Sequence, residues 1–153
     1  MRKILFLDVD GVLNSLYTGG RYALKRSCLK RLENIVKETG CEIVLSSTWR
    51  KDEYALKRLK RVLAYRNIKI LDVTPDFAGV NHLVRGDEIL EWMVLNLTID
   101  EWRSVKYAIV DDDSDMLERQ LPHFFQTDPQ YGMTDIIAYR IAYHLNEIIN
   151  GDG

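Results

Sequence analysis

No apolar run in the 153 residues approaches the roughly 20 needed to cross a bilayer, which excludes a membrane-spanning helix by pattern. The opening "MRKILFLDVDG" reaches aspartate too soon for a signal peptide and lacks a small-residue cleavage site, so the expected location is cytoplasmic. Cysteine is scarce: Cys28 and Cys41 stand alone without metal-ligand spacing, which excludes a zinc cluster and a disulfide framework. Both are expected as buried, reduced thiols. His82, His123 and His144 show no ligand pattern and are expected to pack or lie exposed. There is no repeat, low-complexity segment or linker, so residues 1–153 are expected to form one domain.

What is present is ordinary in bulk and uneven in detail. Hydrophobic residues make up 46% and charged residues 29%, as in soluble globular chains. The net charge of −2 hides an asymmetry: residues 21–66 hold 13 of the 21 Lys and Arg but only 5 of the 23 Asp and Glu. That is a local balance of +8, against 8 basic and 18 acidic residues elsewhere. Such a basic segment suits a polyanionic partner or simply solvated helix faces, and composition leaves both open.

Short apolar runs at 3–8, 41–46, 68–71, 106–111 and 123–127 predict strands. Between them, helical spacing predicts helices through Cys28–Val36, closed by Gly40, and through Tyr54–Leu63. Further helices are predicted through Ile89–Leu97, in a short turn capped by Thr98 or Asp100, over 114–121, and from Thr134 to near Gly151. Strict alternation argues for a parallel sheet covered by helices on both faces. Ligands of such sheets bind beyond the carboxyl ends of the strands.

Those ends are polar. The first carries Asp8 and Asp10, the second Ser46, Ser47 and Thr48, the fourth Asp111, Asp112 and Asp113. Carboxylates crowded at neighbouring strand ends require a cation, and an oxygen-only donor set favours Mg²⁺ over zinc. Mg²⁺ beside serine hydroxyls suits a phosphoryl group. Asp8 is then placed to attack phosphorus, and Asp10 to protonate the leaving oxygen and later deprotonate water. Ser46 is a phosphate ligand in this reading, and the amide of the neighbouring Ser47 is a candidate to share that task. Arg50 is a candidate for phosphate or substrate backbone, or a solvated side chain; Trp49 is a candidate to stack on a base, or to pack. Asp113 and Asp115 are expected to cap the following helix.

In "DVDGV" (8–12), Ser46 after "EIVL", Arg85 in "VRGDEI" and Asp111-Asp112 after "YAIV", the chain resembles the haloacid dehalogenase-like (HAD) hydrolases. It is most similar to a small-phosphatase branch found alone and as a domain of RNA-repair proteins, and in outline to the capless phosphatase of polynucleotide kinase-phosphatases. The resemblance implies a three-layer α/β/α Rossmann-like fold with a five-stranded parallel sheet in the order 5-4-1-2-3. It implies Asp8, Asp10, Ser46 and Arg85 as catalytic residues, and a metal held by Asp8, the backbone carbonyl of Asp10, Asp112 and, through water, Asp111. The family usually has lysine where Arg85 stands; Lys69 is the alternate.

Family members often insert a cap domain, and this sequence has no room for one. A helix uses part of residues 11–45, leaving a flap around Tyr17–Tyr22, and one helix and one strand fill most of 49–84. An open site accepts the end of something large, so a phosphorylated nucleic-acid end is the expected partner. A small phosphoester or a phosphoprotein is the alternative, as is a non-catalytic nucleic-acid-binding module on the same scaffold. A response-regulator receiver is disfavoured because no lysine ends the fifth strand. A topoisomerase-primase type nuclease is disfavoured because its acidic motifs would come in the reverse order.

Overall fold

The computed structural model describes residues 1–148. Five strands, β1 (Lys3–Leu7), β2 (Glu42–Leu45), β3 (Ile70–Val73), β4 (Lys106–Asp111) and β5 (Phe124–Gln126), pair in parallel in the order β3-β2-β1-β4-β5. Read from the other edge this is the expected 5-4-1-2-3. Helices α1 (Arg26–Thr39), α2 (Glu53–Ala64), α3 (Arg85–Asn96), α4 (Ile99–Ser104) and α5 (Asp135–Asn146) surround the sheet. No described helix is long and apolar enough to cross a membrane.

The period-2 alternation of the strands sorts the core into two layers. Leu5 and Leu7 of β1, Ile43 and Leu45 of β2, and Ala108 and Val110 of β4 face α1, α2 and α5. Ile4, Phe6, Val44 and Ile109 face α3. Continuous burial of Ile4 through Leu7 marks β1 as the central strand, buried on both faces as a parallel sheet requires. On α1, Cys28, Leu29, Leu32 and Ile35 form the buried stripe, and Gly40 closes the helix in the left-handed conformation (φ 67°) with its N–H on the Val36 carbonyl. Thr134 and Thr98 cap α5 and α4 through their hydroxyls. Cys28 and Cys41 are both buried free thiols.

Three expected elements differ. The predicted helix over 114–121 is absent; a 3-10 helix, Glu118–His123, forms instead and contains Pro122. Its Gln120 is buried and donates to the Gly86 carbonyl at 2.8 Å, so this segment is shaped by α3 and not by its own periodicity. Asp113 and Asp115 therefore have no helix there to cap. β3 begins two residues later than predicted because the Ile68 N–H turns back to the Leu63 carbonyl, with Asn67 left-handed (φ 58°). α5 ends at Asn146, so Ile148 lies beyond it, and Ile149 and Gly151 lie outside the described residues. Among the histidines, His82 is exposed, whereas His123 and His144 pack together. His144 Nε2 lies 3.0 Å from the Tyr107 carbonyl and 3.1 Å from His123 Nδ1.

Candidate active site

The chain builds β1, β2 and β3 outward, then crosses back to lay β4 on the other side of β1. The topological switch point therefore lies between β1 and β4. Register fixes what meets there. Leu7 pairs with Leu45 on one side and Val110 on the other, so Asp8, Ser46 and Asp111 follow at one level on adjacent strand ends. The ladder extends one step past the strands: Asp8 N–H donates to the Val110 carbonyl, Ser46 N–H to Leu7 and Thr127 N–H to Asp111, at 2.9–3.1 Å. These backbones are held rigidly, which a reacting constellation requires.

Asp8 and Asp111 are buried, and Arg85 binds both: its Nη1 lies 3.2 Å from Asp8 Oδ1 and 3.3 Å from Asp111 Oδ2. Asp112 completes the group, with carboxylate oxygens of Asp8, Asp111 and Asp112 within 4.8 Å of one another. Burial pushes the Asp8 carboxyl up to about 6, against the pull of Arg85. Burial and then the neighbouring Asp8 push Asp111 up to about 8. Three carboxylates this close, two of them reluctant to ionise, form a donor set of hard oxygens with no nitrogen or sulfur. A divalent cation of the Mg²⁺ class fits it. Gly11 makes the approach possible: it is left-handed (φ 76°), and a Cβ there would lie 2.6 Å from Asp112 Cγ. The glycine after the second aspartate is thus fixed by backbone conformation and by Asp112 together.

Asp10 is exposed, and its carboxylate is oriented by Asn14, whose Nδ2 donates to Asp10 Oδ1 at 3.0 Å and to the Ala23 carbonyl at 3.1 Å. Asn14 Oδ1 accepts the Gly11 N–H at 2.9 Å, so one side chain ties the motif loop to the stem of the flap. Ser46 is fully buried, and its Oγ has no hydrogen-bond partner among the described residues; the same is true of Thr74 Oγ1 at the end of β3. Unpaired buried hydroxyls are uncommon in native proteins and cost about 1–3 kcal/mol each. Ser46 ends the strand next to β1, level with Asp8, and Thr74 ends β3 one strand further out.

After Ser46 the side chains of Ser47, Trp49 and Arg50 turn inward. Ser47 is fully buried and its hydroxyl accepts the Trp49 N–H, capping a 3-10 helix at Thr48–Lys51. That helix turns Trp49 into the core, where only 5% of it is exposed and it meets Tyr22 edge-on. It presents no face on which a base could stack. Arg50 spends all five N–H donors inside the protein, on the carbonyls of Thr74, Ser46, Ser47 and Pro75 and on Glu88 Oε2 at 2.8 Å. It pins the ends of β2 and β3 to α3 and has no donor left for a phosphate.

Arg85 is the cation that meets the carboxylates, whereas Lys69 precedes β3 and so lies at the amino end of an edge strand. Arg85 is itself positioned by its neighbours. Its N–H donates to Asp115 Oδ2, and the Gly86 N–H donates to the Asp115 carbonyl. A Cβ on Gly86 would lie 2.5 Å from Gln120 Oε1 and 2.7 Å from the Leu117 nitrogen. Asn14, Thr74, Gly86 and Gln120 escaped the sequence reading; only Gly86, a glycine in the first turn of a helix, carried a signal.

Two open clefts adjoin the carboxylates. One of about 370 Å³ is lined by Thr48, Lys51, Arg85 and the loop 76–84; the other, of about 310 Å³, by Asp10, Asn14, Asp112, Pro129 and the flap. Between β1 and β2 the chain makes only the flap and α1, and between β2 and α3 only the 3-10 helix, α2, β3 and a loop, so neither segment holds a cap domain among the described residues. Residues 4–137 match the family described as the HAD domain in Swiss Army Knife RNA repair proteins. No curated protein and no solved structure matches the chain. With that match spanning β1 to the start of α5, and with the carboxylates and the arginine converging at the β1/β4 switch point, the chain belongs to the family of HAD domains of Swiss Army Knife RNA repair proteins.

Proposed function

We propose that this HAD domain is a Mg²⁺-dependent phosphomonoesterase that hydrolyses the terminal phosphate of a polynucleotide through an aspartyl-phosphate. The observation carrying the reading is Arg85 held between Asp8 and Asp111, with Asp112 beside them and the partnerless Ser46 hydroxyl on the next strand. Asp8 Oδ forms a bond to phosphorus while the bond from phosphorus to the leaving oxygen breaks, and Asp10 gives that oxygen its proton. Water then attacks phosphorus, Asp10 takes the water's proton, and the bond between phosphorus and Asp8 breaks to release phosphate. Arg85 and the Ser46 hydroxyl donate to the phosphoryl oxygens. Asp8, Asp111 and Asp112, with the Asp10 carbonyl, are the groups that would hold Mg²⁺, which would supply positive charge against the phosphoryl group. The open site and the RNA-repair family support a polynucleotide end as substrate.

The test is turnover of an aryl phosphate with Mg²⁺ and with EDTA, followed by a panel of 3′- and 5′-phosphorylated oligonucleotides, nucleotides and phosphopeptides. Expected are activity lost with EDTA and the highest kcat/KM on an oligonucleotide. No hydrolysis of any phosphomonoester would leave a binding module in place of an enzyme; a preference for nucleotides or phosphopeptides would replace the substrate class.

Gly86→Ala is expected to lower kcat about 10- to 100-fold while Asp8, Asp10 and Ser46 remain intact. The clash with the Leu117 backbone nitrogen forces the α3 N-terminus, and Arg85 with it, away from the carboxylates. Urea unfolding of the variant is expected to show a stability loss of about 1–3 kcal/mol from overpacking. Wild-type kcat in Gly86→Ala would remove the positioning role.

A further inference from the structure

The flap and α2 form a surface that the chemistry of phosphate removal does not use. Tyr22 holds a left-handed backbone (φ 61°), strained for a tyrosine, and is fixed from three sides. Its hydroxyl donates to the Asp52 carboxylate, its carbonyl accepts from Arg58 Nε at 2.9 Å, and its ring packs edge-on against the buried Trp49 at 5.5 Å. Tyr54, 66% exposed, lies 5.5 Å from the same ring, and the Arg21 guanidinium sits 4.9 Å from its centroid. Along α2, Tyr54, Lys57, Arg58 and Arg61 share one face at helical spacing. Among the described residues, Arg21 and Arg61 have no carboxylate within ion-pair distance, while Lys57 pairs only with the exposed Glu53.

The other flank of the flap has the opposite sign. There Leu16 N–H donates to the carbonyl of Pro129, next to the exposed Asp128, and Asp10 and Asp112 line the cleft beneath. The leaving group must sit against Asp10, in the cleft under the flap. A polyanion continuing from that cleft is repelled on the acidic flank and attracted on the basic one.

We propose that Arg21, Tyr22, Tyr54, Lys57 and Arg61 form the track along which a single-stranded polynucleotide leaves the active site, its phosphates on the cations and a base on the tyrosines. This rests on the reading that the substrate is a polynucleotide end. An unpaired strand is the form that can use the tyrosines, because a base must leave its stack to lie on an aromatic face.

The probe is a labelled single-stranded 12-mer without a terminal phosphate, as RNA and as DNA, titrated with the full chain by fluorescence anisotropy across a salt series. It reports on the track independently of turnover. Arg21→Glu/Arg61→Glu is expected to weaken binding at least tenfold and to flatten the log–log salt slope by about 1.4, the value for two lost phosphate contacts on a single strand. Tyr54→Ala is expected to weaken binding on the order of tenfold without changing that slope. Arg140→Glu, on α5, is expected to bind as wild type. Equal losses in the Arg140 variant and the double variant would overturn the track, as would tighter binding of a duplex 12-mer. Failure of wild type to bind the 12-mer while it hydrolyses an aryl phosphate would overturn the track and leave the phosphatase standing. Binding through the track with no phosphatase activity would do the reverse.

Discussion

Replacing Asp8 by asparagine is expected to abolish phosphomonoester turnover, by roughly 10⁴-fold or more, while leaving the protein folded. The amide is close in shape to the carboxylate, so the Oδ1 that accepts from Arg85 is retained. The change also removes an ionisable carboxyl from a crowded, buried group, which favours folding. What is lost is the oxygen that bonds to phosphorus, and no neighbour replaces it: Asp111 is almost wholly buried and takes the Asp113 N–H on Oδ1 and Arg85 on Oδ2. Asp10→Asn is expected to cost less, about 10²- to 10⁴-fold, because it removes a proton donor from a reaction whose nucleophile survives. Its loss is expected to be greatest with alkyl leaving groups, which need the proton most. Mass spectrometry of Asp10→Asn mixed with substrate is expected to show phosphate retained on Asp8, since the same variant slows the attack of water. Asp8→Asn turnover within tenfold of wild type would take the nucleophile's role from Asp8.

The residues that sequence could place are those governed by strand ends. The apolar runs before Asp8, Ser46 and Asp111 are short and continuous, so the ends of buried strands were fixed by pattern, and parallel topology brings such ends to one edge. Legibility stopped where the chain left the strand. Trp49 and Arg50 follow Ser46 closely, but the 3-10 helix at Thr48–Lys51 turns Trp49 inward, and Arg50 is consumed by four carbonyls and Glu88. Proximity in sequence carried no information about direction. Gly86 and Gln120 meet across 34 residues, a contact with no local signature. The basic bias of residues 21–66 was plain in composition, yet only the structure separates Lys30, Lys37 and Arg66, which converge on Glu33, from Arg21 and Arg61, which pair with no described carboxylate.

Stability without metal is expected to fall as pH rises through the range of Asp8 and Asp111. A carboxyl whose folded-state pKa is raised holds its proton more tightly folded than unfolded. Its contribution is therefore complete below the unfolded value near 4 and is lost as pH rises through the folded one, about 6 for Asp8 and about 8 for Asp111. Asp111→Asn removes the group with the higher value and keeps an oxygen for the Asp113 N–H. Between pH 6 and pH 8, in EDTA, the variant is expected to gain on wild type by on the order of 1–3 kcal/mol, read as the difference between their urea unfolding curves so that titrations common to both cancel. Mg²⁺ is expected to reverse the ranking at pH 8. A cation selects the ionised, folded site and stabilises it by about 2.7 kcal/mol at a hundred times its Kd, and the variant has lost one of the oxygens that draw it. The same variant is thus expected to be more stable without metal and less active with it, because the charges that make the empty fold costly are the ones that bind the cation. An unfolding difference that does not change between pH 6 and pH 8 would show that the Asp111 carboxyl is not held protonated by the fold, and an equal Mg²⁺ shift in both proteins would show that it is not part of the metal site.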